Sequence, residues 1–200
     1  MTDAADAAAG EDHVVLLCED GSPCGLAPRA TVHSATTPLH LAFSCHLRRP
    51  DGQVLLTRRA LGKRTWPGVW TNSFCGHPRQ GESFPEAIAR HARHELGLEI
   101  RDVRSVLPDF RYRAVDASGI VENEVCPVFI ATTDGAPAPN PEEVMDLRWV
   151  APEEFTALVD LAPWTLSPWA VEQVPRMRGE LTLTRSIHPP GPLPTAAGGS

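Results

Sequence analysis

Apolar and polar residues alternate with period two along residues 39–48. Leu39, Leu41, Phe43, Cys45 and Leu47 fall on one face and His40, Ala42, Ser44 and His46 on the other, which predicts a strand. Pro50, Asp51 and Gly52 form a turn signal, and residues 53–59 read as the returning strand. Residues 13–19 predict a first strand, turned by Asp20 and Gly21. The stretch 22–37 is polar and reads as irregular. Farther on, residues 100–115 and 122–132 predict a strand pair joined at 116–119, and residues 146–150 a short strand.

The period changes over residues 83–96. Ala87, Ile88, Ala92 and Leu96 recur at helical spacing, Ser83 and Glu86 form a capping-box pair, Pro85 suits an early helical position, and Gly97 marks the stop. Ala151-Pro152-Glu153-Glu154 opens another helix and Ser167-Pro168-Trp169 a third. Strands and helices alternate irregularly, with hairpins among them. This predicts an α+β fold, a mixed sheet sandwiched between helices, rather than a doubly wound parallel sheet. The expected organisation is a loose Ala/Asp-rich tail (1–12), one domain (13–185) and a disordered Pro/Gly-rich tail (186–200).

Charge narrows the function classes. The 200 residues carry a net charge of −7, which argues against a nucleic-acid or anionic-membrane partner but leaves room for a local basic pocket. Five cysteines (18, 24, 45, 75, 126) form an odd set without Cys-x-x-Cys spacing. That argues against a disulfide framework and suits a reducing cytosol. No basic leader or long apolar run occurs, so neither secretion nor a membrane span is expected.

Candidate chemistry gathers at residues 71–77, Thr-Asn-Ser-Phe-Cys-Gly-His, after a Trp66-Pro67-Gly68 turn. A buried thiol is usually inert and a single histidine usually structural. Glu122 and Glu124, two apart on a predicted strand, share a face. They repel unless a proton or cation lies between them, or unless the face is simply solvated. His33, His40 and His77 are candidate nitrogen ligands. With the two carboxylates they form a mixed set suited to zinc, manganese or ferrous iron. His13, His46, His91, His94 and His188 lack such company and read as structural or surface residues.

Residues 76–98 resemble the Nudix box: Gly76, Glu82, Arg90, Glu95, Gly97 and Leu98 match, while His91 and His94 replace two of its acids. The stretches TNSFCGHP (71–78), DFRYRA (109–114) and GIVENEVCP (119–127) resemble type I isopentenyl-diphosphate isomerases. So do His33 to His40, Arg58 to Leu61, Trp66 to Trp70, and Ser167 to Trp169. The resemblance spans roughly residues 13–175.

That resemblance implies a Nudix fold and interconversion of isopentenyl and dimethylallyl diphosphate through a tertiary carbocation. It implies Cys75 and Glu124 as proton-transfer groups on opposite faces of the substrate, without settling which acts first. Tyr112 would assist near Glu124, and Trp169 would stabilise the cation. One manganese or zinc ion would sit on His33, His40, His77, Glu122 and Glu124. Magnesium would sit on Glu95 and the Cys75 carbonyl. Arg59, Lys63, Arg29 and Arg90 would hold the diphosphate, and the enzyme is expected to be a cytoplasmic monomer. Two rivals remain: a Nudix hydrolase of a nucleoside diphosphate derivative, and a non-catalytic Nudix-like binding module. The lost box acids weigh against the first and the Cys75, Glu124 and ligand set against the second.

Overall fold

A computed structural model describes residues 12–182. The expected tails lie outside these residues, apart from Asp12, as does the end of the expected domain at 183–185.

The helix at Phe84–Leu96 forms as its local sequence demands. Ser83 caps it, the Glu86 carboxylate accepts from the Ser83 amide at 3.0 Å, and Gly97 ends it in the left-handed region at φ 63°. Its apolar stripe, Ala87, Ile88, Ala92 and Leu96, is fully buried.

In chain order the strands are β1 (His13–Leu17), β2 (Pro23–Pro28), β3 (His40–Leu41), β4 (Phe43–Arg48), β5 (Val54–Arg59), β6 (Trp70–Thr71) and β7 (Phe74–Gly76). They continue as β8 (Arg101–Leu107), β9 (Arg111–Val115), β10 (Val121–Val125), β11 (Val128–Thr132) and β12 (Val144–Val150). The helices are α1 (Arg29–Val32), α2 (Phe84–Leu96), α3 (Pro152–Leu161) and α4 (Pro168–Thr182). Pro175 lacks an N–H to continue the ladder, and α4 kinks at Met177.

Two sheets result. The first runs β2-β1-β3-β10-β9 and the second β12-β5-β4-β11-β8, with β6 added to β5 and β7 to β4. Both mix parallel and antiparallel pairs: β3 with β10 and β4 with β11 are parallel. The second sheet is the sandwiched one. Phe43, Cys45, Leu47, Leu55 and Phe129 pack against α2, while Val54, Leu56, Val128 and Ile130 pack towards α3 and α4.

Three segments read from the sequence as single strands each divide between the sheets. Residues 39–48 break at Ala42, whose amide turns to Val125. Residues 100–115 break at 108–110, and residues 122–132 break at Cys126-Pro127, where the Cys126 amide reaches Phe110. Proline cannot donate to a ladder, so Pro108 and Pro127 mark two of the crossings. Leu39 and Leu41 therefore pack with Val15 and Leu17 in a small cluster of their own rather than with Phe43. The stretch 22–37, expected to be irregular, instead supplies β2 and α1.

Candidate active site

The crossings bring chemistry from both sheets to one cavity of about 650 Å³. Its lining includes Cys75, Tyr112, Glu124 and Trp169, the pair Glu122 and Thr65, and the bases Arg29, Arg59 and Lys63.

One wall belongs to the first sheet. In register, Glu124 on β10 lies opposite His40 on β3 and Tyr112 on β9. Glu124 Oε1 lies 3.3 Å from His40 Nε2 and 3.2 Å from His77 Nε2, and Oε2 accepts from the Tyr112 hydroxyl at 2.9 Å. The three imidazoles His33, His40 and His77 pack with centroids 5.1–5.7 Å apart. Nitrogens of all three and a Glu124 oxygen lie within 4.8 Å of one another. Glu122 stands beside this group: Oε2 is 3.0 Å from His33 Nε2, and Oε1 accepts from Thr65 at 2.6 Å.

Electrostatics bind this wall together. Burial would raise the Glu124 carboxyl, but the His40 and His77 contacts outweigh it and hold it well below the usual carboxylate range. Burial pushes His77 down to about 4. At His40 burial acts the same way, yet Glu124 prevails and raises it. Tyr112 is raised by burial and by Glu124. His33 Nε2, His40 Nε2, His77 Nδ1 and Glu122 Oε2 are buried without a hydrogen-bond partner. Such orphaned atoms are costly, and nitrogens with carboxylate oxygens at this spacing fit a divalent cation.

A second wall belongs to the second sheet. Cys75 on β7 pairs with Ser44 on β4, and its Sγ lies 3.2 Å from Ser44 Oγ and 3.4 Å from Asn72 Oδ1. Burial pushes the Cys75 thiol up to about 12. The same Asn72 oxygen accepts from Trp169 Nε1 at 2.9 Å, fixing the indole whose ring lies 5.7 Å from that of Tyr112. Gly76 is obligatory for packing: a Cβ there would meet the His91 ring at 2.4 Å.

The remaining expected residues divide. Arg59 donates to the Thr65 carbonyl at 2.7 Å and lies over Trp169 at 5.4 Å. Lys63 is ion-paired with Glu143, and Arg29 with Asp12 at 3.0 Å. Arg90 does not line the cavity. It clamps Glu82 through two bonds of 2.8 and 2.7 Å and donates to the His77 carbonyl at 3.0 Å. Glu95 lies apart from the histidine cluster, held by His91 Nδ1 at 2.8 Å.

Sequence reading missed Thr65, Ser44, Asn72 and Gln173. Asn72 stands inside the motif around Cys75. Ser44 occupies the polar parity of its strand, opposite the face of Phe43 and Cys45. Nothing local marked Thr65 or Gln173.

Known proteins agree with this architecture. Residues 38–177 match the NUDIX domain. A Deinococcus radiodurans crystal structure superposes with a TM-score of 0.62 at 21% identity, covering 82% of this chain and 98% of its own, which carries the fold. An isopentenyl-diphosphate Delta-isomerase of Agromyces mediolanus is 60% identical over 83% of this chain and 81% of its own. A Kocuria rhizophila protein of the same name is 60% identical over 82% and 91% respectively. With the domain matched over most of its length and identity this high, the chain belongs to the isopentenyl-diphosphate Delta-isomerases of the NUDIX family.

Proposed function

We propose that the protein interconverts isopentenyl and dimethylallyl diphosphate with Cys75 and Glu124 as its two proton-transfer groups. The terminal alkene carbon gains a proton, the neighbouring carbon becomes a tertiary cation, and a proton leaves the methylene between that cation and the carbon bearing the diphosphate, its C–H electron pair forming the new double bond. One proton enters and one departs, so the net change is a shifted double bond. The observation carrying this reading is that a thiol and a carboxylate from different sheets line one cavity together with Tyr112 and Trp169.

Burial supports these roles. A cation generated in a wet site would be captured by water, and Tyr112 and Trp169 are both almost fully buried. The Trp169 face offers the cation a quadrupole in place of water. Tyr112, bonded to Glu124 Oε2, serves to hold a proton beside the carboxylate. Arg29, Arg59 and Lys63 are proposed to receive the diphosphate at the cavity rim. Arg90 is kept in the proposal only as a clamp on the loop before α2.

The metal assignments belong to the same proposal. His33, His40, His77 and Glu124, with Glu122 beside His33, would hold zinc or manganese; Glu95 and the Cys75 carbonyl would hold magnesium. These ions would fix the Glu124 carboxylate, change its proton affinity and neutralise the diphosphate. Five cysteines without a disulfide suit a reducing cytosol, and a monomer suffices for the site.

Hydrolysis fits less well. Of the box acids, Glu82 is tied to Arg90 and Glu95 to His91, while His94 is exposed. The test is proton NMR of the protein with isopentenyl diphosphate and magnesium in heavy water. Allylic product carrying deuterium, with no free phosphate, is expected. Steady phosphate release from a nucleoside diphosphate derivative without allylic product would return the hydrolase reading.

A further inference from the structure

Behind Cys75 a file of buried polar side chains runs from β4 to α4, and the reaction as described uses none of them. Ser44, His46 and Gln173 are all fully buried. His46 Nε2 lies 3.1 Å from Gln173 Oε1, Gln173 Nε2 donates to Ser44 Oγ at 2.8 Å, and Ser44 Oγ lies 3.2 Å from Cys75 Sγ. Burying an amide, an imidazole and a hydroxyl in an otherwise apolar layer is costly unless their bonds are satisfied.

The file has a direction. An amide oxygen only accepts, so the His46 Nε2 facing Gln173 Oε1 carries the hydrogen. This leaves Nδ1 as a bare lone pair, and it has no partner. The Gln173 amide hydrogen occupies a lone pair of Ser44. The Ser44 hydrogen is then left for a sulfur, either Cys75 at 3.2 Å or the more distant Cys126 at 3.5 Å. On the other side of Cys75, Asn72 Oδ1 already accepts from Trp169 at 2.9 Å and Thr71 at 2.8 Å. Its two lone pairs are filled by these shorter bonds, so the 3.4 Å contact holds the thiol hydrogen only weakly.

We propose that Gln173, oriented by His46, is a positioning residue that turns the Ser44 hydroxyl hydrogen onto the Cys75 sulfur. The sulfur then has a donor ready for the negative charge it carries whenever its proton is away, whichever of the two transfers it performs, and the thiol hydrogen, when present, is left free to face the cavity. The inference rests on Cys75 being a proton-transfer group. His46, read from the sequence as structural, thereby gains a task three side chains from the substrate.

Gln173→Met keeps the volume and removes both bonds. With isopentenyl diphosphate and magnesium, its kcat is expected to fall by about 10- to 100-fold, as for a lost hydrogen bond to a charged group, with KM within about twofold. A kcat within about twofold of wild type, or a change confined to KM, overturns the inference. Should Gln173→Met fail to fold, Ser44→Ala, which removes one atom, decides by the same criteria. Nitrogen-15 NMR adds a signature that packing alone would not set. His46 is expected as the neutral Nε2–H tautomer at neutral pH, and finding the Nδ1–H tautomer or the imidazolium reverses the file and overturns the inference. Cys75→Ala measured alongside separates the failures. Near-normal turnover in Cys75→Ala sinks the underlying role, whereas its loss beside a normal Gln173→Met sinks the positioning role alone.

Discussion

The two walls of the cavity solve the problem of burying polar groups in opposite ways. Around Cys75 the groups are neutral, and Asn72 and Gln173 each bridge several partners, so that wall is close to complete within the chain. Around Glu124 they are ionisable, crowded, and leave four buried atoms without a hydrogen bond. The lesson is that a thiol can be held by packing and dipoles alone. A cluster of three imidazoles and two carboxylates is instead poised for something from outside the chain.

The sharpest break in that comparison is Cys75→Ala. If the neutral wall supplies one of the two proton transfers, isomerisation should fall by about 10²–10⁴-fold while folding and metal content persist. Metal analysis, circular dichroism and the NMR assay check this. Cys18→Ala and Cys126→Ala should stay active.

A smaller effect tests the claim that the neutral wall stays neutral. Burial lowers His46 from 6.5 to about 4. The unfolded chain therefore takes up the proton first as pH falls. Stability from this group is complete above about pH 6.5 and is lost between there and pH 4. By pH 5 the loss is of order 2 kcal/mol. Denaturant titrations at pH 7.5 and 5 should show that much extra decline in wild type compared with His46→Gln, and equal declines would break the argument.

The charged wall can be tested by supplying what it lacks. Zinc or manganese at about 100 times its dissociation constant should stabilise the chelator-treated protein by about 2.7 kcal/mol, read as a higher melting temperature. His33→Ala should lose most of that shift. An unchanged melting temperature on adding either metal to wild type would mean that the cluster is not a cation site.

Legibility followed the range over which a signal acts. Helix α2 was readable to its caps because Ser83, Glu86 and Gly97 act within a turn or two. Most strands were readable as strands but not as members of one sheet or another, and β2, β6 and β7 were not read as strands at all. Alternation reports which way side chains point, whereas the crossing at Ala42 is decided by an amide finding Val125, far along the chain. Glu122, Glu124, His33, His40 and His77 could be named from residue types, and the tightness of their grouping could not. Ser44 and Gln173, separated by 129 residues, meet only because α4 lies over β4, and no local spacing announces that.

The three crossings also decide how the cavity can deform. His40 and Ser44 belong to one continuous run of chain, as do Glu124 and Val128, yet in each pair one residue lies in the first sheet and the other in the second. The walls are therefore sewn to each other by the chain itself. They cannot swing apart like the halves of a hinge without tearing main-chain bonds such as Ala42 to Val125 and Cys126 to Phe110. Elsewhere in the lining the join is made by a side chain alone, Arg64 donating to the Ala30 carbonyl at 2.5 Å.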